Sequence, residues 1–185
     1  QRELLDERQG NGFVRHGHGD LHLANIYLDD GRPRLFDAIE FDDRLARIDV
    51  LYDLAFLLMD LWHRDLRGEA NRIFSRYLLR TGDLGGLAAL PLFVSLRAGI
   101  RAHVSATMAA GAAGAAGAAG AGENQTLRAE AVRYLDLAMA MLDAARHRPE
   151  VVVLLTDGYE NVRQGDAAQV MLGLERLGMS PPLIQ

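Results

Sequence analysis

The spacing of apolar residues changes character at Val50. Residues 11 to 43 read as short extended runs separated by turns. Beyond them Leu51, Leu54, Ala55, Leu58 and Leu61 recur at three- and four-residue steps, the repeat of a helix with one buried face. Helical spacing then persists through most of the chain. It predicts helices over about 50–66, over 69–80 with Ile73, Tyr77 and Leu78 inward, and over 87–108 with Pro91 in the first turn. A fourth is expected over 126–146, with Ala131, Leu135, Ala138, Met139 and Leu142 on one face. "TGDLGG" stops the second helix, "RHRP" ends the fourth, and Asp49 is placed to cap the first. Upstream, "NIYLDDGRPRLFDAIEF" carries two apolar runs around Asp30-Gly31, which predicts a β-hairpin. Pro33 falls at a strand start, where a missing N–H is tolerable. The expected fold is therefore α+β: a mainly helical body over 1–147 with a small hairpin, followed by a short β-α tail over 148–185.

Between the third and fourth helices lies "AAGAAGAAGAAGAG". Glycine at every third position without proline is not collagen, and each interior glycine costs a helix about 1 kcal/mol relative to alanine. Residues 108–122 are accordingly read as a flexible Ala/Gly linker.

Composition narrows the function classes. The net charge is −5, which gives no electrostatic footprint for nucleic acid or an anionic membrane. The richest apolar run, "VLYDLAFLLMDLW", carries Asp53 and Asp60 and is too short to span a bilayer. There is no cysteine, hence neither a disulfide framework nor a thiolate metal site. The expectation is a cytoplasmic protein without nucleic-acid or membrane partners. The chain begins at Gln1 rather than Met, and we expect a fragment or a processed product.

Chemistry concentrates in "RHGHGDLHLANIYLDDGRPRLFDAIEFDD", residues 15 to 43. Within it "HGDLHLAN" has the form His-x-Asp-x-x-x-x-Asn, the spacing of a phosphotransferase catalytic loop. Phosphoryl transfer needs a carboxylate to orient the attacking hydroxyl and accept its proton, and an amide oxygen to help hold Mg²⁺. A second metal-binding carboxylate should follow on the next strand-turn, where Asp37 stands in "LFDAIEF". Simpler readings suffice elsewhere: Glu40, Asp42 and Asp43 as a structural acidic turn, His16 and His63 as surface or core residues, Trp62 as core.

These residues resemble the aminoglycoside phosphotransferase and choline kinase family, whose signature HGDxHxxN is met by His18, Gly19, Asp20, His22 and Asn25. The resemblance runs through "LFDAIEFDDRLARIDVLYDLAFLLMDL" to about Leu142, and is nearest to a bacterial branch in which this domain precedes a P-loop kinase domain. It implies a protein-kinase-like C-terminal lobe that transfers the γ-phosphoryl of ATP to a hydroxyl of a small molecule. Asp20 would be the catalytic base, and Asn25 and Asp37 the Mg²⁺ ligands. His18, His22 and Asp53 would support the loop, Asp53 by bracing its backbone. Such enzymes also use an N-terminal lobe with a glycine-rich flap and a strand lysine. All 20 basic residues here are arginine, and about fifteen residues precede the loop. We therefore expect the isolated chain to bind ATP weakly and turn over little. The alternative is a degenerate kinase-like nucleotide-binding or scaffold module without catalysis.

The tail, "RPEVVVLLTDGYEN", reads as a buried strand over Val151–Leu155 followed by a helix that Asp166 caps and Gly178 ends. It resembles part of a von Willebrand factor type A domain. That family's upstream Asp-x-Ser-x-Ser element is missing, so Asp157 is not expected to bind metal.

Overall fold

A computed structural model describes residues 2–115 and 118–147. The expected tail lies outside the described residues. The order of elements is α1 (Arg2–Gly10), β1 (Val14–His16), β2 (Ile26–Asp29), β3 (Arg32–Leu35), α2 (Asp43–Ala46), β4 (Arg47–Asp49), α3 (Val50–His63), α4 (Arg67–Thr81), α5 (Leu90–Ala115) and α6 (Ala118–His147). The architecture is α+β, mostly helical with two small antiparallel pairs, β1 with β4 and β2 with β3.

The hairpin forms where expected. Ile26 pairs with Leu35 and Asp29 with Arg32. Asp30 and Gly31 both take positive φ, 47° and 75°, as a two-residue turn of the right hand for a twisted ribbon requires. The β1–β4 pair and α1 are not legible in the sequence. Pairing of Val14 with Asp49 and His16 with Arg47 brings the start of the chain to the foot of α3.

Asp49 holds that junction. It caps α3 by accepting from the Leu51 amide at 2.8 Å. Its carboxylate also takes Arg8 Nε and Nη2 at 2.7 and 2.8 Å. The other side of the same guanidinium reaches Asp83 at 2.6 and 2.9 Å, and Asp83 accepts from Tyr77 Oη at 2.5 Å and the Gly86 amide at 3.1 Å. One buried arginine thus ties α1 to the starts of α3 and of the turn after α4. Burial alone would lower its pKa, but hydrogen bonds and charge from Asp49 and Asp83 raise it above the usual arginine value. Burial, and then the Asp83 carboxylate, hold the Tyr77 hydroxyl in its neutral form well above the ordinary range.

α3 is the central helix: residues 55–61 are all buried, because α4, α5, α6 and the loop before β2 surround it. The core gathers Leu51, Met59, Phe74, Leu90, Phe93, Tyr134 and Met141. α5 and α6 run antiparallel: Ser95 Oγ donates to the Ala138 carbonyl, Ser105 Oγ to Glu130, and Asn124 Nδ2 to the Ala109 carbonyl.

Three expectations are corrected. The Ala/Gly segment over 108–122 is helical up to Ala115 and again from Ala118, rather than a linker. Alanine has the highest helix propensity, and the buried Ala98, Ala102 and Ala109 let α6 approach closely along α5. In α4, Phe74 is inward and Ile73 faces out. In α6 the inward residues are Tyr134, Ala138 and Met141, while Leu135 and Met139 are 52% and 60% exposed. α6 carries apolar residues on two faces, and Tyr134 decides between them by stacking on His63 with ring centroids 3.7 Å apart.

Candidate functional site

The loop from Gly17 to Asn25 is built on two acids of α3. The amides of His18 and Gly19 donate to Asp53 Oδ2 and Oδ1 at 2.6 and 3.1 Å. Farther along, the Leu23 amide donates to Asp60 Oδ2 at 3.0 Å. Asp53 and Asp60 are seven residues apart, two helical turns, so both carboxylates stand on the face that meets the loop. Arg64 donates to the second oxygen of Asp60 at 2.9 Å. The two glycines are needed here for different reasons. A Cβ at Gly17 would lie 2.8 Å from Asp53 Oδ2, an oxygen already pinned by the His18 amide. Gly19 has φ 82°, and a Cβ there would meet Ile39 at 2.8 Å.

On this scaffold the loop presents Asp20. Asn25 Nδ2 donates to Asp20 Oδ2 at 3.1 Å and to the Asp20 carbonyl at 3.0 Å. Asn25 is itself buried and stands at the end of a single 3₁₀ turn, Leu23–Asn25. His22 caps that turn, its Nδ1 accepting from the Ala24 amide, which leaves Nε2 to carry the ring proton 3.4 Å from Asp20 Oδ2. The Asp20 side chain remains 41% exposed, so its carboxylate can be reached by a solute.

His18 works from the other side. Its Nε2 bonds the Phe36 carbonyl at 2.9 Å, and its Nδ1 is buried without a partner among the described residues. Phe36 and Ile39 donate backbone bonds to the carbonyls of Asn25 and His18 at 3.1 and 2.9 Å. Asp37 lies between these two attachments, exposed, with φ 60°. Left-handed backbone at a non-glycine residue is uncommon, although aspartate tolerates it better than most. The structure therefore brings Asp20, His22 and Asn25 into direct contact, fastens the His18 amide to Asp53, and sets the segment bearing Asp37 against the same loop.

Behind the loop, His22 packs on Phe56 with centroids 5.1 Å apart. Arg97 of α5 inserts between the rings of Tyr52 and Phe56, its Cζ 4.0 and 4.7 Å from their centroids. Burial pushes its pKa down, and the Tyr52, Asp53 and Asp20 side chains counter that shift. Sequence reasoning missed Asp60 and Arg97 as loop-supporting residues. The signal for Asp60 was the seven-residue spacing of two acids in an otherwise apolar helix; for Arg97 there was none.

The remaining acids have structural posts. Asp42 caps α2 through the Arg44 amide at 2.9 Å, and the Arg44 side chain, then that amide bond, lower its pKa. Asp29 pairs with Arg34 on the surface, and Glu40 and Asp43 are exposed. His16 is exposed beside Asp43, whereas His63 is a core residue. Among the described residues no group of three or more His, Asp or Glu side chains forms a metal cage. The Asn25 amide and the Asp37 carboxylate are hard oxygen donors of the kind Mg²⁺ uses, and Mg²⁺ usually takes one or two protein ligands alongside phosphates and water. The donor set fits that ion.

Known proteins give a bounded comparison. Over 101 residues, 55% of the chain, it is 35% identical to an uncharacterized protein of Mycobacterium tuberculosis (strain H37Rv) and equally to one of Mycobacterium bovis. The matched stretch is 20% of those proteins, so the chain spans about a fifth of the curated relatives it matches. No family model and no solved structure matches the chain. Among the described residues no helix is long and apolar enough to cross a membrane.

Proposed function

We propose that this chain carries the catalytic loop of an ATP-dependent, Mg²⁺-assisted phosphotransferase acting on a hydroxyl of a small molecule. The observation that supports it most is Asp20: an accessible carboxylate hydrogen-bonded to Asn25, on a loop whose amides are gripped by the buried Asp53. In this reading an acceptor hydroxyl bonds to Asp20, which orients it and takes its proton as oxygen bonds to the γ-phosphorus of ATP and the bond to ADP breaks. His22 and Asn25 keep the carboxylate facing the acceptor. Asn25 and Asp37 hold Mg²⁺, which when bound offsets charge on the phosphate oxygens. Preorganisation comes from α3, because the loop cannot shift without breaking the bonds to Asp53 and Asp60. The hairpin leaves Tyr27, Leu28, Leu35 and Phe36 exposed, a surface suited to a nucleotide-clamping lobe elsewhere in a longer protein.

The test is turnover of Mg-ATP by the longest natural protein that contains this chain, across a panel of small hydroxyl compounds. Loss of a general base typically removes about 10²- to 10⁴-fold of rate, so Asp20→Asn should lower kcat by that factor while Mg-ATP binding persists. Asp37→Ala should weaken Mg-ATP binding instead. Equal turnover by wild type and Asp20→Asn would refute the assignment. Mg-ATP binding without turnover of any acceptor by the wild-type protein would favour the non-catalytic module.

A further inference from the structure

α4 turns two different faces to its surroundings. Ala70, Asn71, Phe74 and Leu78 are buried, and Arg67 at the start of the helix lies over the Trp62 ring. The outward face carries Arg72, Arg76 and Arg80, all exposed. None of the three has an ion pair or a hydrogen bond from its side chain among the described residues. Residues four apart on a helix are offset by about 6 Å along its axis and share a face. The three arginines therefore form one row of uncompensated positive charge.

Local forces do not account for the row. Like charges four residues apart weaken a helix. The helix dipole favours Arg80, in the last turn, but not Arg72 or Arg76. Asp83 follows three residues after Arg80, yet it is taken up by Arg8, the Tyr77 hydroxyl and the Gly86 amide. Nor does composition force the pattern. Acids outnumber arginines by 25 to 20 in the chain, whereas α4 has four arginines and one acid, Glu69.

The chemistry that fits is a row of carboxylates with the same step. A helix bearing Glu or Asp at every fourth residue presents them about 6 Å apart, one for each arginine. A strand of duplex nucleic acid carries a charge about every 3.4 Å, nearly twice as dense. The chain outside α4 is also more acidic than the whole, because α4 contributes positive charge to a total of −5. That field repels a long polyanion or an anionic bilayer. Ile73, 36% exposed on the same side of α4, adds an apolar contact.

We propose that the outer face of α4 docks an acidic helix of a partner protein, with carboxylates at four-residue intervals against Arg72, Arg76 and Arg80. Exposed ion pairs are individually weak, so the contact is reversible and salt-sensitive. It uses no residue of the Asp20 loop and does not rest on the phosphotransferase reading.

The probe is a labelled alanine-rich peptide of about 20 residues, long enough to be helical, with glutamate at every fourth position. Its binding to the chain is followed by fluorescence anisotropy at low salt. A peptide of the same composition with its glutamates in one block is the control. The aligned peptide should bind more tightly than the block peptide, and about 0.5 M salt should abolish the difference. Arg76→Gln should weaken it about two- to five-fold, the worth of one exposed pair. Arg72→Gln combined with Arg76→Gln should weaken it further without lowering Tm, whereas a structural role for these arginines would lower Tm. Equal binding of the two peptides, or binding indifferent to Arg76→Gln, would overturn the proposal. So would tighter binding of duplex DNA or of anionic phospholipid vesicles than of the aligned peptide. Self-association that salt reverses would assign the face to a second copy, through the exposed Glu3 and Glu7 of α1, and overturn it as well.

Discussion

Replacing Asp53 by asparagine isolates what holds the candidate catalytic loop. In the wild type two consecutive amides, of His18 and Gly19, each donate to a different oxygen of one buried carboxylate. Hydrogen bonds to a charged acceptor are worth about 1.5–3 kcal/mol each. Asparagine keeps the shape but offers one oxygen, now neutral, and turns its NH₂ toward the second amide. One bond weakens and one N–H is left buried opposite another donor, for an expected loss of about 2–4 kcal/mol. Arg97 adds in the same direction, because Asp53 is among the charges that offset its burial between Tyr52 and Phe56. With a urea m-value of about 1–2 kcal/mol/M, the denaturation midpoint should fall by about 1–4 M. Amide hydrogen exchange locates the damage: His18 and Gly19 should exchange faster, while the Leu23 amide, held by Asp60, keeps its protection. A stability change below about 1 kcal/mol, or unchanged exchange at His18 and Gly19, would refute the bracing argument.

Other consequences follow from groups outside the loop. Arg8→Ala strands two buried carboxylates, Asp49 and Asp83, and should cost about 3–5 kcal/mol in urea denaturation. His63 is neutral in the fold because burial, and next the Arg133 charge, lower its pKa. The unfolded chain therefore binds the extra proton as pH falls below the ordinary histidine value of 6.5, and stability should be full above that pH and decline beneath it. His63→Phe, measured by thermal melts from pH 7.5 to 5, should flatten that part of the decline. The face of α6 can be checked directly: Leu135→Lys and Met139→Lys should each change stability by less than about 0.5 kcal/mol, whereas Tyr134→Ala should cost about 3–5 kcal/mol. Equal costs at all three positions would mean that a different face is buried.

Local features of the sequence read through to the structure, and features that depend on distant partners do not. The turn at Asp30-Gly31 and the Asp49 cap are chemistry within four residues, and both form as expected. Asp20, Asn25 and His22 also meet within one short loop, so their spacing alone places them together. α1 is another matter. Its turns are polar apart from Leu4 and Leu5, and what holds Arg8 are carboxylates 41 and 75 residues away. The β1–β4 pair has three residues per strand, too few for a pattern to emerge. In α6 the apolar pattern allowed two faces, and the choice rests on His63 and Ser95, which no local period contains. The Ala/Gly stretch misled because its alanines, the best helix formers, outnumber the glycines that penalise a helix.

The two-turn interval between Asp53 and Asp60 makes α3 a measuring rod for the loop it carries. A residue inserted anywhere between them would swing Asp60 by about 100° around the axis, away from Leu23, while Asp53 kept its hold on His18 and Gly19. The loop would then be fastened at its entrance and loose beneath Leu23. The interval between residues 53 and 60 should accordingly tolerate no change of length, a constraint separate from the packing that the buried residues 55–59 supply to the core. The reverse holds at the β2–β3 turn, where the chain is exposed and nothing downstream counts the residues.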